Sequence, residues 1–229
     1  MAARRKSAKT PARKAGRQAA VAAEADRDTR DTRDTRGAGR REAILSAALD
    51  EFSARGFEAT RLDDVAKRAG IAKGTIYLYF RDKESLFQEL VREMLTPLVG
   101  TIEALEAADL PLPKIAEHIA DLFMREVYDT RRKDVIRLMI SEGRRFPKLA
   151  EFYYQEVLSR IIAAVRALLA RAAARGEAAP ALVEFPQLIV APGLIAIIWN
   201  GLFERYDPLD VRAMMQTHVE LLFGARAKS

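Results

Sequence analysis

Apolar side chains recur at intervals of three and four residues along most of the chain, which is the spacing of an α-helix. In the first such segment, Ile44, Leu45, Ala48, Leu49 and Phe52 fall on one face. The sequence contains no alternating strand pattern and no Asn-Gly hairpin signal. The pattern predicts an all-α protein with helices at about 40–54, 112–130, 132–142, 147–175, 184–204 and 208–223.

Residues 60–80 form two short helical segments on either side of a glycine. The first segment has an apolar stripe and ends at Gly70, which can adopt a positive φ. In the second segment Ile76 and Phe80 lie four residues apart, so both can face a core. Its other positions then expose two tyrosines and a leucine. A helix-turn-helix whose second helix enters the major groove of DNA explains such a surface.

A further helix is predicted to begin near Asp82 and to meet Pro97. Two arrangements fit the proline. Either Pro97 kinks one long helix, or Thr96 caps a new helix that has Pro97 at its first position.

Four segments resemble the tetracycline-repressor (TetR) family in order and spacing, within roughly residues 41–90. They read Gly-Phe-Glu-Ala-Thr (56–60), Val-Ala-Lys-Arg-Ala-Gly-Ile (65–71), Lys-Gly-Thr-Ile-Tyr-Leu-Tyr-Phe (73–80) and Lys-Glu-Ser-Leu (83–86). The resemblance implies a three-helix DNA-binding domain at 40–86. A C-terminal helical domain at 87–225 would bind a ligand and form the dimer, and residues 1–39 would form a disordered basic tail.

The resemblance also implies roles for single residues: Thr75 and Tyr77 would approach bases, and Tyr79 and Lys83 would hold phosphates. At the start of the same helix, free N–H groups attract phosphate and a glycine permits close approach. The predicted DNA-binding residues are Arg61, Lys73, Gly74, Thr75, Tyr77, Leu78, Tyr79 and Lys83.

The positive charge of the chain is concentrated at its N-terminus. Residues 1–40 hold 12 Lys and Arg against 5 Asp and Glu, whereas the whole chain has a net charge of +6. The folded part must therefore bind DNA through a local surface, not through its net charge. The tail is either a solvated extension or a nonspecific arm on phosphates or in a minor groove.

Residues 185–203 carry no charge over 19 positions. This run is interrupted by Pro186, Gln187, Pro192, Gly193 and Asn200, which argues against a membrane span. A helix that is apolar all round is otherwise buried, here by the core and by a second subunit. The predicted dimer interface consists of Ile197, Val211, Met215, His218 and Leu222.

The C-terminal region is rich in aromatic residues, which are either ordinary core residues or the walls of a ligand pocket. The family resemblance favours a pocket between helices, for a small hydrophobic or aromatic effector. The candidate residues are His118, Phe123, Tyr128, Phe152, Tyr153, Trp199, Asn200 and Phe203.

Neither a catalytic motif, a metal-ligand cluster nor a cofactor motif is present, and the chain has no cysteine. We therefore predict no catalytic residues, no metal and no cofactor. The predicted function is a homodimeric repressor that binds a palindromic operator in double-stranded DNA and is released by the effector. It would work in the cytoplasm, at the bacterial nucleoid, without membrane contact. The alternatives are a regulator or nucleoid-type protein without an effector, and an α-helical enzyme.

Overall fold

The computed structural model describes residues 37–106 and 110–223. Most of the predicted tail lies outside the described residues. Contacts between Cα atoms divide the chain into a unit that ends at Ile44 and a second that begins at Leu45. Residues 37–44 of the first unit are helical. The second unit holds the other described helices, and the predicted domain boundaries after residues 39 and 86 remain predictions.

The helix-turn-helix lies at the start of this unit. Within this unit, helix α1 covers residues 45–59, α2 covers Leu62–Arg68 and α3 covers Lys73–Tyr79. Gly70 has a φ of +69° in the turn between α2 and α3, as predicted. Three phenylalanine rings hold the small core together: the ring centroids of Phe52, Phe57 and Phe87 lie 5.5, 5.9 and 5.8 Å apart.

Helix α4 runs without interruption over Lys83–Glu106 and contains Pro97. Of the two predicted arrangements, the structure therefore has the single long helix. Asp82 caps its start, because the Ser85 amide donates to Asp82 Oδ1 at 2.7 Å. Since only three residues separate the end of α3 from the start of α4, α4 links the helix-turn-helix directly to the C-terminal helices.

The C-terminal helices follow the predicted pattern closely. They are α5 (Leu112–Leu122, continued by the π-helical turn Phe123–Tyr128), α6 (Arg132–Glu142), α7 (Pro147–Tyr153), the π-helical turn Tyr154–Leu158, α8 (Ser159–Ala174), α9 (Pro180–Glu184), α10 (Gln187–Phe203) and α11 (Val211–Phe223). The predicted helix at 147–175 is thus α7, its π-helical turn and α8. Helix α11 begins three residues later than predicted, where Asp210 caps it.

Residues of α4, α5, α8 and α11 form the main C-terminal core, among them Ile102, Ala116, Val165, Leu169 and Phe223. The described residues form helices and turns and no strand, which confirms the predicted all-α class. Over the same residues, no helix has both the length and the apolar character that crossing a membrane requires.

Candidate functional site

Helix α3 has a buried face and an outward face. Ile76 is fully buried and Phe80 is 5% exposed, as the spacing predicts. On the outward face Tyr77 is 48% exposed and Leu78 is 84% exposed. The helix thus presents large apolar and aromatic side chains to solvent, at a cost that a binding partner would remove.

Gly74 lies on the outward face of α3 beside open space. A Cβ built on Gly74 meets nothing within 4 Å outside the local helix backbone. The packing of the subunit therefore does not require a glycine here. Thr75 and Tyr79 are half-buried, and Arg61 is exposed at the N-cap of α2. Seven of the eight predicted DNA-binding residues, all but Lys83, are thus exposed or half-buried on α3 or at the N-cap of α2.

Asp63 connects two of these residues, and sequence reasoning missed it. Its Oδ2 lies 2.6 Å from Lys73 Nζ, and its Oδ1 accepts a hydrogen bond of 3.4 Å from the Tyr77 hydroxyl. The hydrogen bond and charge of Asp63 raise the pKa of Lys73 above its usual value. One carboxylate of α2 thus holds two side chains of α3.

The ammonium group of Lys83 faces the protein and not the outward face of α3. It donates to the carbonyl oxygens of Phe57, Glu58 and Thr60 at 2.7, 2.5 and 3.3 Å. Burial lowers its pKa, although Glu58 and Glu142 oppose this shift. An ammonium group has three protons, so these acceptors occupy all its donors. The structure therefore does not bring Lys83 together with the other predicted DNA contacts.

An apolar cavity of about 150 Å³ lies between α4, α5, α8 and α10. Of the eight predicted ligand residues, Phe123 and Tyr153 line it. Tyr153 is the one polar side chain in its lining among the described residues, and burial raises the pKa of this tyrosine to about 12. The hydroxyl is therefore protonated at neutral pH and can donate a hydrogen bond.

The other six predicted ligand residues do not line this cavity. Tyr128 and Asn200 hydrogen-bond each other at 2.5 Å, and Asn200 also binds the backbone of Leu209 through both its amide atoms. The Trp199 indole N–H donates to the Asp207 carbonyl. These contacts fix the segment between α10 and α11. The remaining three lie at or near the surface: His118 beside the Lys114 carbonyl, Phe152 under the Arg92 guanidinium and Phe203 against Trp199.

Two family models match this chain. The model described as bacterial regulatory proteins of the tetR family matches residues 44–90. A second model, the tetracycline-repressor-like C-terminal domain, matches residues 116–220. The chain belongs to the TetR family. Members of the TetR family are transcriptional regulators, which confirms the prediction that the protein is not an enzyme.

Individual TetR proteins share part of the sequence. The transcriptional regulator RutR of Escherichia coli K12 is 32% identical over 120 residues, which are 52% of this chain and 49% of RutR. The transcriptional repressor KstR2 of Mycolicibacterium smegmatis is 32% identical over 126 residues, 54% of this chain and 59% of KstR2. This chain thus spans about half the length of these curated relatives.

A solved TetR-type structure shows the same fold over most of the chain. FadR of Bacillus subtilis, crystallised with stearoyl-CoA, superposes with a TM-score of 0.58 and 19% identity, covering 80% of this chain and 97% of FadR. At this identity the likeness concerns the fold alone.

The TetR chain has an exposed apolar surface on α10, which differs from the predicted interface. Of the predicted residues, Ile197, Val211 and Met215 are buried within the subunit. His218 lies 3.1 Å from the Leu188 carbonyl, and Leu222 packs beside the C-terminal core. The exposed apolar residues of α10, which we name the α10 outer face, are Leu188, Leu194, Ile195, Ile198, Trp199, Leu202 and Phe203.

Proposed function

We propose that this TetR-family chain is a homodimeric transcriptional repressor that binds a palindromic operator through α3 and is released by a small hydrophobic effector. The outward face of α3 carries this proposal, because it exposes Tyr77 and Leu78 beside an unobstructed glycine. A protein that reads DNA works where the chromosome is, so we place it in the cytoplasm. The relative KstR2 is a transcriptional repressor, which supports repression over activation.

The proposed DNA contacts are of two kinds, contacts with bases and contacts with phosphates. Thr75 offers a hydroxyl to a base edge, and Leu78 offers an apolar contact to a thymine methyl. Tyr77 would approach a base, and Arg61 and Tyr79 would bind phosphates that set the register, while Lys73 stays paired with Asp63. Lys83 is left out of this set, because its donors are used within the subunit.

Replacing Gly74 by alanine tests the DNA surface without harming the fold. Because the site is open and helical, the substitution should raise stability by up to about 1 kcal/mol. A methyl group forced into a close-packed contact costs about 1–3 kcal/mol, so affinity for the operator should fall by about 5- to 150-fold. Thermal melting measures the stability. Titration with a palindrome, which the wild type first selects from random duplexes, measures the operator affinity.

Gly100→Ala is the matched control for this prediction. Gly100 is also helical and exposed, and a Cβ there also meets nothing within 4 Å. It lies in α4, away from α3, so the control should gain stability and keep its affinity. Equal operator affinity in both variants would contradict a DNA contact at Gly74. A wild type that selects no sequence would instead favour the nucleoid-type alternative.

The α10 outer face would join two subunits. A helix-turn-helix dimer reads two half-sites whose centres are about 34–36 Å apart, so the interface must set the distance between the two α3 helices. An exposed apolar surface of this kind on a monomer is costly, and a second copy would bury it.

The apolar cavity would hold the effector or its apolar part. A cavity of about 150 Å³ lined by aliphatic and aromatic side chains accommodates a benzene-sized group. Leu95, Leu98 and Ile102 of α4 line it on both sides of Pro97. An effector that fits better when α4 is tilted would therefore shift α3, with Pro97 as the hinge. Such an effector must bind the DNA-incompetent state more tightly than the other.

Toluene and indole are suitable probes of the cavity. Each should raise the melting temperature, because a ligand of the native state stabilises it. Val190→Phe places a ring at the lining and should abolish this rise while the protein without probe melts no lower. A rise that persists in Val190→Phe would mean that the probes bind elsewhere. No rise with either probe would favour the alternative of a regulator without a hydrophobic effector.

A further inference from the structure

The Asp63 carboxylate is an unusual feature of a surface that would face phosphates. It is 41% exposed and lies in the first turn of α2, next to the outward face of α3. A negative charge here opposes DNA binding through its repulsion of the phosphates. An exposed ion pair contributes at most about 1 kcal/mol to folding stability, so stability alone is a weak reason for its presence.

The contacts of Asp63 suggest another role. Each of its two oxygens binds a different side chain of α3, Lys73 and Tyr77. These two residues lie four apart, one turn of the helix, so one carboxylate fixes both in a single arrangement. While Lys73 is held, its charge is balanced by Asp63 and adds nothing to the general attraction for DNA.

We propose that Asp63 is a specificity-determining positioning residue that restrains Lys73 and Tyr77. This inference rests on the proposed function, since it assumes that α3 reads DNA. On a random sequence, the restraint keeps Lys73 from binding any available phosphate. On the operator, it presents the Tyr77 ring in one orientation. Asp63 thus weakens nonspecific binding more than specific binding, which increases the ratio between them.

The neighbouring Asp64 provides a matched control. It lies in the same turn of α2 but binds Arg55, at 3.2 Å, and not α3. Arg55 also pairs with Glu51 at 3.2 Å. Asp64→Asn therefore removes the same charge from the same turn and leaves Arg55 paired, whereas Asp63→Asn releases Lys73.

The experiment titrates the full-length variants with the selected palindrome and with a random duplex of equal length, over a series of salt concentrations. Asp63→Asn should bind the random duplex about five- to tenfold more tightly, and the specific-to-nonspecific ratio should fall by a similar factor. One additional phosphate contact steepens the slope of log affinity against log salt by about 0.9. Asp64→Asn should keep the wild-type slope and ratio. Lys73→Gln added to Asp63→Asn should remove the gain in nonspecific affinity.

Three results would overturn the inference. The first is an equal change in the two asparagine variants, which would show a general charge effect. The second is an unchanged ratio in Asp63→Asn. The third is a lower melting temperature with weaker binding to both duplexes, which would mark Asp63 as structural. If the wild type showed no sequence preference, the proposed function itself would fail. This outcome is seen in the wild-type selection, before any variant is measured.

Discussion

Ile195→Asp should convert the proposed homodimer into a folded monomer and nearly abolish operator binding. Ile195 is 51% exposed in the middle of the α10 outer face, so a free subunit tolerates a charge there. In the dimer the same carboxylate would be desolvated without a counterion, at a cost of several kcal/mol. A monomer reads one half-site, and its affinity should fall towards the nonspecific level, which is typically about 10³–10⁷-fold weaker. Sedimentation measures whether the variant is a monomer, and circular dichroism measures whether it is folded.

Met215→Asp distinguishes this interface from the one that the sequence predicts. Met215 is 6% exposed and packs with Val211, Ala196 and Met124 inside the subunit. A buried unpaired charge there should unfold the C-terminal helices instead of releasing a folded monomer. Thr217→Asp, on the exposed polar side of α11, should change neither the folding nor the oligomeric state. A folded Met215→Asp monomer, or an Ile195→Asp dimer, would contradict the assignment to the α10 outer face.

The period of apolar residues predicts which residues are buried in α3, but it does not do so in α10. In α3 the four-residue spacing of Ile76 and Phe80 predicts that both are buried, and the structure agrees although two tyrosines and a leucine lie between them. Helix α10 is apolar on every side, and spacing cannot tell which stripe contacts the subunit core. Ile197 and Ile195 differ by two positions and point to opposite environments. Only the packing of α10 against its neighbours decides between them.

Residue type was a poor guide to the cavity for a related reason. The aromatic and polar residues chosen from the sequence share chemistry, but Asn200 and Trp199 use their polar atoms to fix the segment before α11. The cavity is lined mostly by aliphatic residues that resemble any core residue in sequence. Asp63 was missed because an acidic residue in the first turn of a helix is ordinary. Its contact with Lys73 depends on the angle between α2 and α3.

Lys83→Ala should destabilise the protein instead of removing a phosphate contact. The Lys83 ammonium caps the carbonyl oxygens at the end of α1 and lies 4.8 Å from the centroid of the Phe57 ring. Hydrogen bonds to a charged group contribute about 1.5–3 kcal/mol. For a chain of this size, each kcal/mol shifts the melting temperature by roughly 2–4 °C. We therefore expect the melting temperature to fall by about 3–12 °C.

The dependence of operator binding on salt distinguishes a Lys83 that caps α1 from a Lys83 that binds phosphate, which is the role that the family resemblance implies. A lost phosphate contact would reduce the slope of log affinity against log salt by about 0.9 and leave the melting temperature unchanged. A lost cap should lower the melting temperature and leave the slope unchanged, because no released counterion is involved. Lys67→Ala, at an exposed position of α2, is the control for removing a lysine from the same region. A reduced slope with normal stability in Lys83→Ala would mean that the ammonium leaves the three carbonyls and binds phosphate when DNA is present.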